Sequence, residues 1–132
     1  MGYRSDVRIV VSKKGYEKLE EFVKKYLKDK ELDEAEYNLL ERAEIKHECK
    51  NLYYIGWNWI KWDEGYYEDA KAIMEGLSYL VENNLAYRYV RIGEDLTDME
   101  ENFYDSEQDE DVLDFPFILR RFDDEAFLEE NK

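Results

Sequence analysis

The segment Asn51–Trp62 constrains the fold of this chain most, because it holds all three tryptophans with two tyrosines and two isoleucines. Aromatic and β-branched residues favour strands, so we predict a strand here. Strict alternation gives two faces: Tyr53, Ile55, Trp57 and Trp59 on one, and Leu52, Tyr54, Ile60 and Trp62 on the other. Gly56 and Asn58 leave a gap midway along the second face. A strand that is apolar on both faces is expected inside a sheet.

The hydrophobic pattern predicts further strands and helices around this one. The predicted strands are Tyr3–Ser12, Glu44–Cys49 and Leu85–Gly93. Apolar residues recur every three or four positions in two segments, which predicts helices over Tyr16–Leu27, after a Ser12 cap, and over Ala70–Val81. Asp33, with Glu36 three residues on, is predicted to begin a short helix that reaches Ala43.

The predicted order of strand, helix, strand, strand, helix, strand is that of a ferredoxin-like βαββαβ sheet, so the fold class is α+β. The first and third strands are then central, and the helices cover one face. We expect residues 1–93 to form this core and residues 94–132 an acidic C-terminal segment packed on it, within one domain. The other sheet face carries aromatic rings, which either the C-terminal third or a second copy of the chain must cover.

Most of the excess negative charge lies in the C-terminal third. The chain has a net charge of −15, and residues 94–132 contribute −13 of it, with 3 basic and 16 acidic side chains. The acids between Glu94 and Asp114 are interrupted by apolar residues, so this segment is predicted to lie along the domain. Phe115–Phe122 is then predicted to add an edge strand, where Pro116 is tolerated, and Asp123–Lys132 a short helix.

This charge distribution excludes some classes of partner. Direct binding to nucleic acid or to an anionic membrane needs clustered lysine and arginine, and the negative charge balance argues against both partners. Basic protein surfaces are the natural counterparts of an acidic protein. A single cysteine and the absence of a secretory or membrane-spanning pattern predict a cytoplasmic location.

The acidic segment is the predicted partner-binding site. Carboxylates spaced along an ordered surface can imitate a phosphate backbone and compete for a cleft lined with lysine and arginine. The predicted partner-binding residues are Glu94, Asp95, Asp98, Glu100, Glu101, Asp105, Glu107, Asp109, Glu110 and Asp111. The alternative interpretation is a solvated face that only keeps the protein soluble.

Catalytic and metal-binding patterns are weak in this sequence. An EF-hand-like spacing begins at Asp105, but Glu110 stands where glycine is required and Pro116 where a glutamate ligand belongs. His47 and Cys49 could form a catalytic pair, yet no third orienting group has a recognisable spacing. Phosphate-binding loops and nucleophile elbows are absent from the sequence. We therefore predict no enzymatic activity, no metal and no cofactor.

Two strands that the predicted fold makes neighbours carry four arginines: Arg4, Arg8, Arg88 and Arg91. One interpretation is a basic stripe that binds an anion or RNA, with Tyr87 and Tyr89 as stacking rings. The other is that these arginines pair with the carboxylates of the domain itself. The negative charge balance favours the second interpretation.

Three motifs occur together: Met-Gly-Tyr-Arg-Ser-Asp-Val at 1–7, the tryptophan-rich strand that ends Ile60-Lys-Trp62, and Tyr-Arg-Tyr-Val-Arg-Ile-Gly-Glu-Asp at 87–95. Over residues 1–95 the chain thereby resembles a family of small proteins from bacteriophages, prophages and mobile elements. The resemblance implies an origin and no reaction.

Origin and charge together predict a non-enzymatic, phage-encoded inhibitor of a host defence nuclease, an anti-CRISPR or other anti-defence protein. It would act by placing its acidic surface in a basic nucleic-acid-binding site. The alternative is a homo-oligomeric structural or accessory phage protein, in which two copies bury their aromatic sheet faces against each other.

Overall fold

Strands and helices alternate along the part of the chain that the computed structural model describes, residues 3–106, 113–119 and 121–132. The strands are β1 (Arg4–Ser12), β2 (Ile45–Glu48), β3 (Leu52–Lys61), β4 (Tyr87–Ile92) and β5 (Met99–Tyr104). The helices are α1 (Lys13–Asp29), α2 (Glu34–Tyr37), α3 (Glu68–Glu82) and α4 (Asp124–Glu130). The predicted α+β class is confirmed.

The strands form one open antiparallel sheet with the order β2-β3-β1-β4-β5. β1 and β3 lie inside it, as their apolar character predicts. Ser12 caps α1 as predicted, because its hydroxyl accepts a hydrogen bond from the Gly15 N–H at 3.1 Å. The short helix α2 ends at Tyr37, and the prediction that it reaches Ala43 is wrong. Asn38 leaves helical geometry, and its side chain accepts a hydrogen bond from the Leu40 N–H at 3.0 Å, which forms a turn instead.

The edge strand next to β4 is β5, which lies inside the acidic segment, and the predicted edge strand Phe115–Phe122 is wrong. Among the described residues of Phe115–Phe122, Ile118 and Phe122 form an isolated bridge with each other and no strand. The apolar side chains of this segment pack onto the sheet face beside Val90 and Ile92, so they cannot also extend the sheet sideways.

Helices α1 and α3 cover one face of the sheet, which we call the helix face. The side chains of Val7, Ile9 and Val11 from β1 pack there against Leu19 and Ile73 from the two helices. This cluster is the largest of the buried clusters in the described residues, and it includes Trp57 and Tyr89 from the flanking strands. Burial of so much apolar surface is the main term that stabilises the fold.

The C-terminal residues cover the second face of the sheet. Val10 and Tyr54 pack there against Leu113 and Phe127, and the Tyr54 and Phe127 rings stack with centroids 4.6 Å apart. Since Phe127 belongs to α4, helices lie on both faces, and the prediction of helices on one face alone is wrong. Of the two predicted ways to cover the aromatic face, the chain uses its own C-terminal third.

A β-bulge reverses the alternation of β3 at Trp59. Ser5 pairs with Ile60 but Val7 pairs with Trp57, so β3 has one extra residue opposite β1. Ile60 and Trp62 therefore turn to the helix face, whereas strict alternation assigned them to the second face. The predicted faces are right up to Trp57 and wrong beyond it.

Candidate protein-binding surface

Six of the ten predicted partner-binding acids lie at the outer edge of the sheet: Glu94, Asp95, Asp98, Glu100, Glu101 and Asp105. They belong to β5, to the turn that precedes it and to the residue that follows it. We call these positions, residues 94–105, the acidic edge. The other four, Glu107, Asp109, Glu110 and Asp111, lie outside the described residues.

Arginines of the chain neutralise part of the acidic edge. Arg91 donates to both carboxylate oxygens of Asp98, at 2.8 and 3.0 Å, and its Nε lies 3.4 Å from Glu100. Tyr89 also donates its hydroxyl to Glu100, at 2.8 Å. The hydrogen bonds from Arg91 and Tyr3 hold the pKa of the Asp98 carboxyl below its usual range. Asp98 and Glu100 therefore order the acidic edge and carry little free charge.

Arg88 holds the C-terminal end of the acidic edge. Its guanidinium forms a charge-assisted hydrogen bond with Asp105 and lies beside an edge-to-face pair of aromatic rings, 4.9 Å from the centroid of Phe103 and 5.4 Å from that of Phe115. The ring of Phe103 comes from β5 and that of Phe115 from the C-terminal segment. One buried cation thus connects the edge strand to the segment that covers the second face.

Five of the six described acids of the edge are exposed, and Arg91 and Arg88 pair with two of them, Glu100 and Asp105. The other three are Glu94, Asp95 and Glu101. Glu94 accepts a hydrogen bond from the backbone N–H of Arg4 at 2.6 Å, which fixes its position and leaves its charge uncompensated by a side chain. Counting the six described acids against Arg88 and Arg91, the edge has a net charge of −4. The outward-facing charge is therefore negative but smaller than the sequence alone indicates.

A third arginine, Arg8, anchors helix α4 to the sheet. Its side chain is only 3% exposed, and its Nε and Nη2 donate to the two carboxylate oxygens of Asp124 at 2.9 and 3.2 Å. Nη2 also donates to Asn58 at 2.7 Å, and the ring of Phe122 lies 4.7 Å from the guanidinium. Bidentate pairing of this kind is directional as well as strong.

Asp124 completes this network with a hydrogen bond from the Tyr54 hydroxyl. Burial acts to raise the pKa of the Asp124 carboxyl, but the hydrogen bonds from Arg8 and Tyr54 outweigh it and leave the pKa below its usual range. Burial beside Asp124 raises the pKa of Tyr54 well above its usual value. Asp124 is thus ionised and Tyr54 neutral at physiological pH.

The basic stripe is wrong as a description of the four arginines. Arg8 and Arg88 lie on the second face, whereas Arg91 lies on the helix face, beside Ser5. Tyr87 and Tyr89 are buried in the core under the helices, so they cannot stack on RNA bases. Pairing with the carboxylates of the domain, the interpretation that charge balance favoured, is confirmed for Arg8, Arg88 and Arg91.

His47 and Cys49 lie at the other edge of the sheet, on and just after β2. Cys49 packs against the cluster that contains Leu128 of α4, and burial raises the pKa of its thiol. A nucleophilic cysteine needs a lowered pKa, so this environment suits a packing role. Within the described residues, His, Cys, Asp and Glu side chains form no group that could hold a metal ion. No described helix is long and apolar enough to cross a membrane.

Sequence reasoning missed three residues that shape this surface, namely Tyr3, Trp59 and Asp124. Tyr3 donates to Asp98 at 2.6 Å, and its oxygen accepts from the Asp95 N–H at 3.0 Å, so it holds the turn before β5. An exposed tryptophan at a bulge has no local sequence signal. The cap of α4 is Asp123, whose side chain accepts a hydrogen bond from the Ala126 N–H at 3.0 Å. The role of Asp124 depends instead on Arg8, which is distant in sequence.

Comparisons of the chain with protein families, with curated proteins and with solved structures found no match. The resemblance to small phage proteins therefore stays a hypothesis about origin.

Proposed function

We propose that the chain is a non-enzymatic inhibitor whose acidic edge occupies the basic, nucleic-acid-binding site of a host defence nuclease. The observation that carries this proposal is the exposure of Glu94, Asp95 and Glu101 on the outermost strand and its turn. The neighbouring acids are fixed by Arg88 and Arg91. An edge that is already ordered loses little conformational entropy when it binds, which favours affinity.

The chemical class of the target follows from the sign of the charge. A surface of fixed carboxylates attracts a groove lined with lysine and arginine and speeds the encounter between them. Nucleases of the CRISPR and restriction types bind their substrates through grooves of this kind. The resemblance to phage proteins supplies the reason for choosing a defence nuclease among proteins with such grooves.

We also propose that β1–β4 with α1 and α3 form a ferredoxin-like sandwich, to which β5 and α4 are additions. The sheet order supports this proposal, because β1 and β3 are the inner pair and β2 and β4 flank them. In this interpretation the acidic edge lies on an element that was added to a common scaffold. Such additions often carry function.

The test uses purified nucleases of both types from one bacterial host, a CRISPR effector and a restriction endonuclease. Inhibition of DNA cleavage is measured against the full chain at low and at high salt. The variant carries Glu94→Gln, Asp95→Asn and Glu101→Gln. A matched control removes the same charge from exposed acids elsewhere, with Glu17→Gln, Glu41→Gln and Glu82→Gln.

We expect inhibition of at least one nuclease, weakened by salt. The edge variant should lose about tenfold to a hundredfold in potency, since each screened charge pair contributes roughly 0.5–1 kcal/mol. The control should match the unmodified chain. Equal losses in the two variants, or potency that is insensitive to salt, would show that the acidic edge is not the inhibitory surface.

The homo-oligomeric alternative was motivated by an aromatic sheet face that needed a second copy of the chain to cover it. The aromatic sheet face is covered by the C-terminal residues of the same chain, through the Tyr54–Phe127 stack and the cluster around Phe122. Pairing of two acidic edges would bring like charges together, which is unfavourable.

A further inference from the structure

Trp59 is the one exposed tryptophan of the three. Its side chain is 61% exposed, whereas Trp57 and Trp62 are 1% and 8% exposed. Tryptophan buries more apolar area than any other residue when a partner covers it, and it is enriched among the residues that dominate binding energy. An ordered tryptophan on the surface is therefore a candidate contact for another molecule.

Two charged residues of β1 hold the backbone of Trp59 in place. The Asp6 carboxylate accepts a hydrogen bond from the Trp59 N–H at 2.8 Å, and Arg4 donates to the Trp59 carbonyl oxygen at 3.2 Å. At the bulge Trp59 has a φ of 54°, a region that side chains with a Cβ disfavour. The ring is thus projected outward from a fixed point of the sheet.

Hydrogen bonds connect Trp59 to the start of the acidic edge. Arg4, which contacts the Trp59 carbonyl, donates its own N–H to Glu94. Tyr3, the residue before Arg4, contacts the turn at Asp95. Arg4 therefore links the backbone of Trp59 to Glu94, at the start of the acidic edge.

We propose that Trp59 is the apolar centre of a docking surface for a basic protein segment, with Glu94 and Asp95 as its acidic neighbours. The segment would present an aliphatic or aromatic side chain to Trp59 and flanking lysines or arginines to Glu94 and Asp95. This inference rests on the proposed function and names the part of the partner that the surface contacts. It adds an apolar, salt-independent contribution to binding that carboxylates alone do not supply.

Charge complementarity selects this occupant over others. Glu94 and Asp95 repel a phosphate backbone, and two copies of the surface would place these acids against each other. A basic segment is attracted by them, and its cations can also lie over the electron-rich face of the Trp59 ring. Hot spots of this kind have an apolar centre and a polar rim, which is the composition found here.

The experiment selects binders from a library of random short peptides displayed on yeast, with the full chain as the soluble bait. Enriched peptides are then synthesised and titrated against the unmodified chain and its variants. Trp59→Gly removes the ring and also removes the cost of the positive φ, so the variant should fold. Val81→Ala is the control, because it trims an exposed apolar side chain in the last turn of α3, before β4, whereas Glu94 and Asp95 follow β4.

We expect enriched peptides to be basic and to contain an apolar residue. Trp59→Gly should weaken their binding at least about tenfold, and Val81→Ala should leave it unchanged. Binding should shift the tryptophan emission to shorter wavelength and protect it from acrylamide, since Trp59 is the exposed fluorophore. The proposal is overturned if no peptide is enriched, if enriched peptides are acidic or neutral, or if Trp59→Gly binds them equally.

The edge variant Glu94→Gln, Asp95→Asn, Glu101→Gln separates this inference from the proposed function. Peptides that lose affinity for the edge variant but bind Trp59→Gly normally would overturn the docking role of Trp59 and leave the acidic edge in place. Nuclease inhibition that fails for the unmodified chain, together with peptide binding that depends on Trp59, would overturn the target class and leave the docking surface.

Discussion

The Arg8 side chain crosses the sheet directly above Gly56. The two residues are cross-strand partners in β1 and β3, and a Cβ atom on Gly56 would lie 2.4 Å from Arg8 Cδ and 2.7 Å from the Val7 carbonyl oxygen. The missing side chain of Gly56 is therefore what admits the guanidinium to the second face, where it reaches Asp124. The gap in the aromatic strand is occupied by a cation.

We expect Gly56→Ala to destabilise the protein by about 1–3 kcal/mol, because the added methyl group has to displace Arg8 or the β1 backbone. The free energy of unfolding, from urea titration followed by circular dichroism, measures the effect. Gly65→Ala is the control, since the nearest atom to its Cβ would be Asp63 Oδ1 at 3.4 Å, an ordinary contact. Equal stability of the two variants would mean that Arg8 does not need the space above Gly56.

Removal of the Asp124 carboxylate should cost about 3 kcal/mol, because it leaves the buried Arg8 guanidinium without its anion. We expect Asp124→Ala to lose this stability and to raise amide hydrogen exchange in α4. Glu125→Ala removes an exposed acid from the same helix turn and should have an effect within about 0.5 kcal/mol. Exchange in α4 that is unchanged by Asp124→Ala would argue against Arg8 as the anchor of this helix.

The core strands were predictable because their apolar residues recur with the two-residue period of a β-strand. β3 is apolar on both faces and β1 is the other most hydrophobic strand, so both were expected inside the sheet, and Ser12 stands where a helix cap is needed. The two long helices followed from their apolar stripes. These features depend on local sequence, which a single chain reveals.

The edge strand β5 and the bulge at Trp59 were not predictable, because they depend on contacts between residues that are distant in sequence. β5 reads Met-Glu-Glu-Asn-Phe-Tyr, and its acids are tolerated because an edge strand is solvated and because Arg91 pairs with Glu100. The bulge at Trp59 depends on Asp6, which is remote in sequence. Pairings of this kind belong to the tertiary structure, so the free charge of the acidic edge was overestimated.

Trp59→Gly should stabilise the protein by about 1 kcal/mol, since glycine adopts a positive φ without the steric cost that a side chain has there. The lost ring is mostly exposed, so its removal costs little buried area. Thermal and urea unfolding measure the change. Trp59→Ala, which removes the ring and keeps the Cβ, is the comparison that isolates the backbone contribution, and we expect it to be the less stable of the two variants.

Acid should remove the contribution of the Arg8–Asp124 pair. The folded pKa of Asp124 is lowered, so the unfolded chain takes up its proton first, and the stabilisation is complete above about pH 4 and is lost as pH falls through the folded pKa. Protonation of the other acids relieves repulsion in a chain of net charge −15, which acts in the opposite direction. The measurement is therefore the difference in unfolding free energy between the unmodified chain and Asp124→Asn. Both proteins share the effect of protonating the other acids, so that effect cancels in the difference. We expect this difference to be constant near neutral pH and to shrink below about pH 4. A difference that stays the same down to strongly acidic pH would mean that the Asp124 carboxylate does not stabilise the fold through its charge.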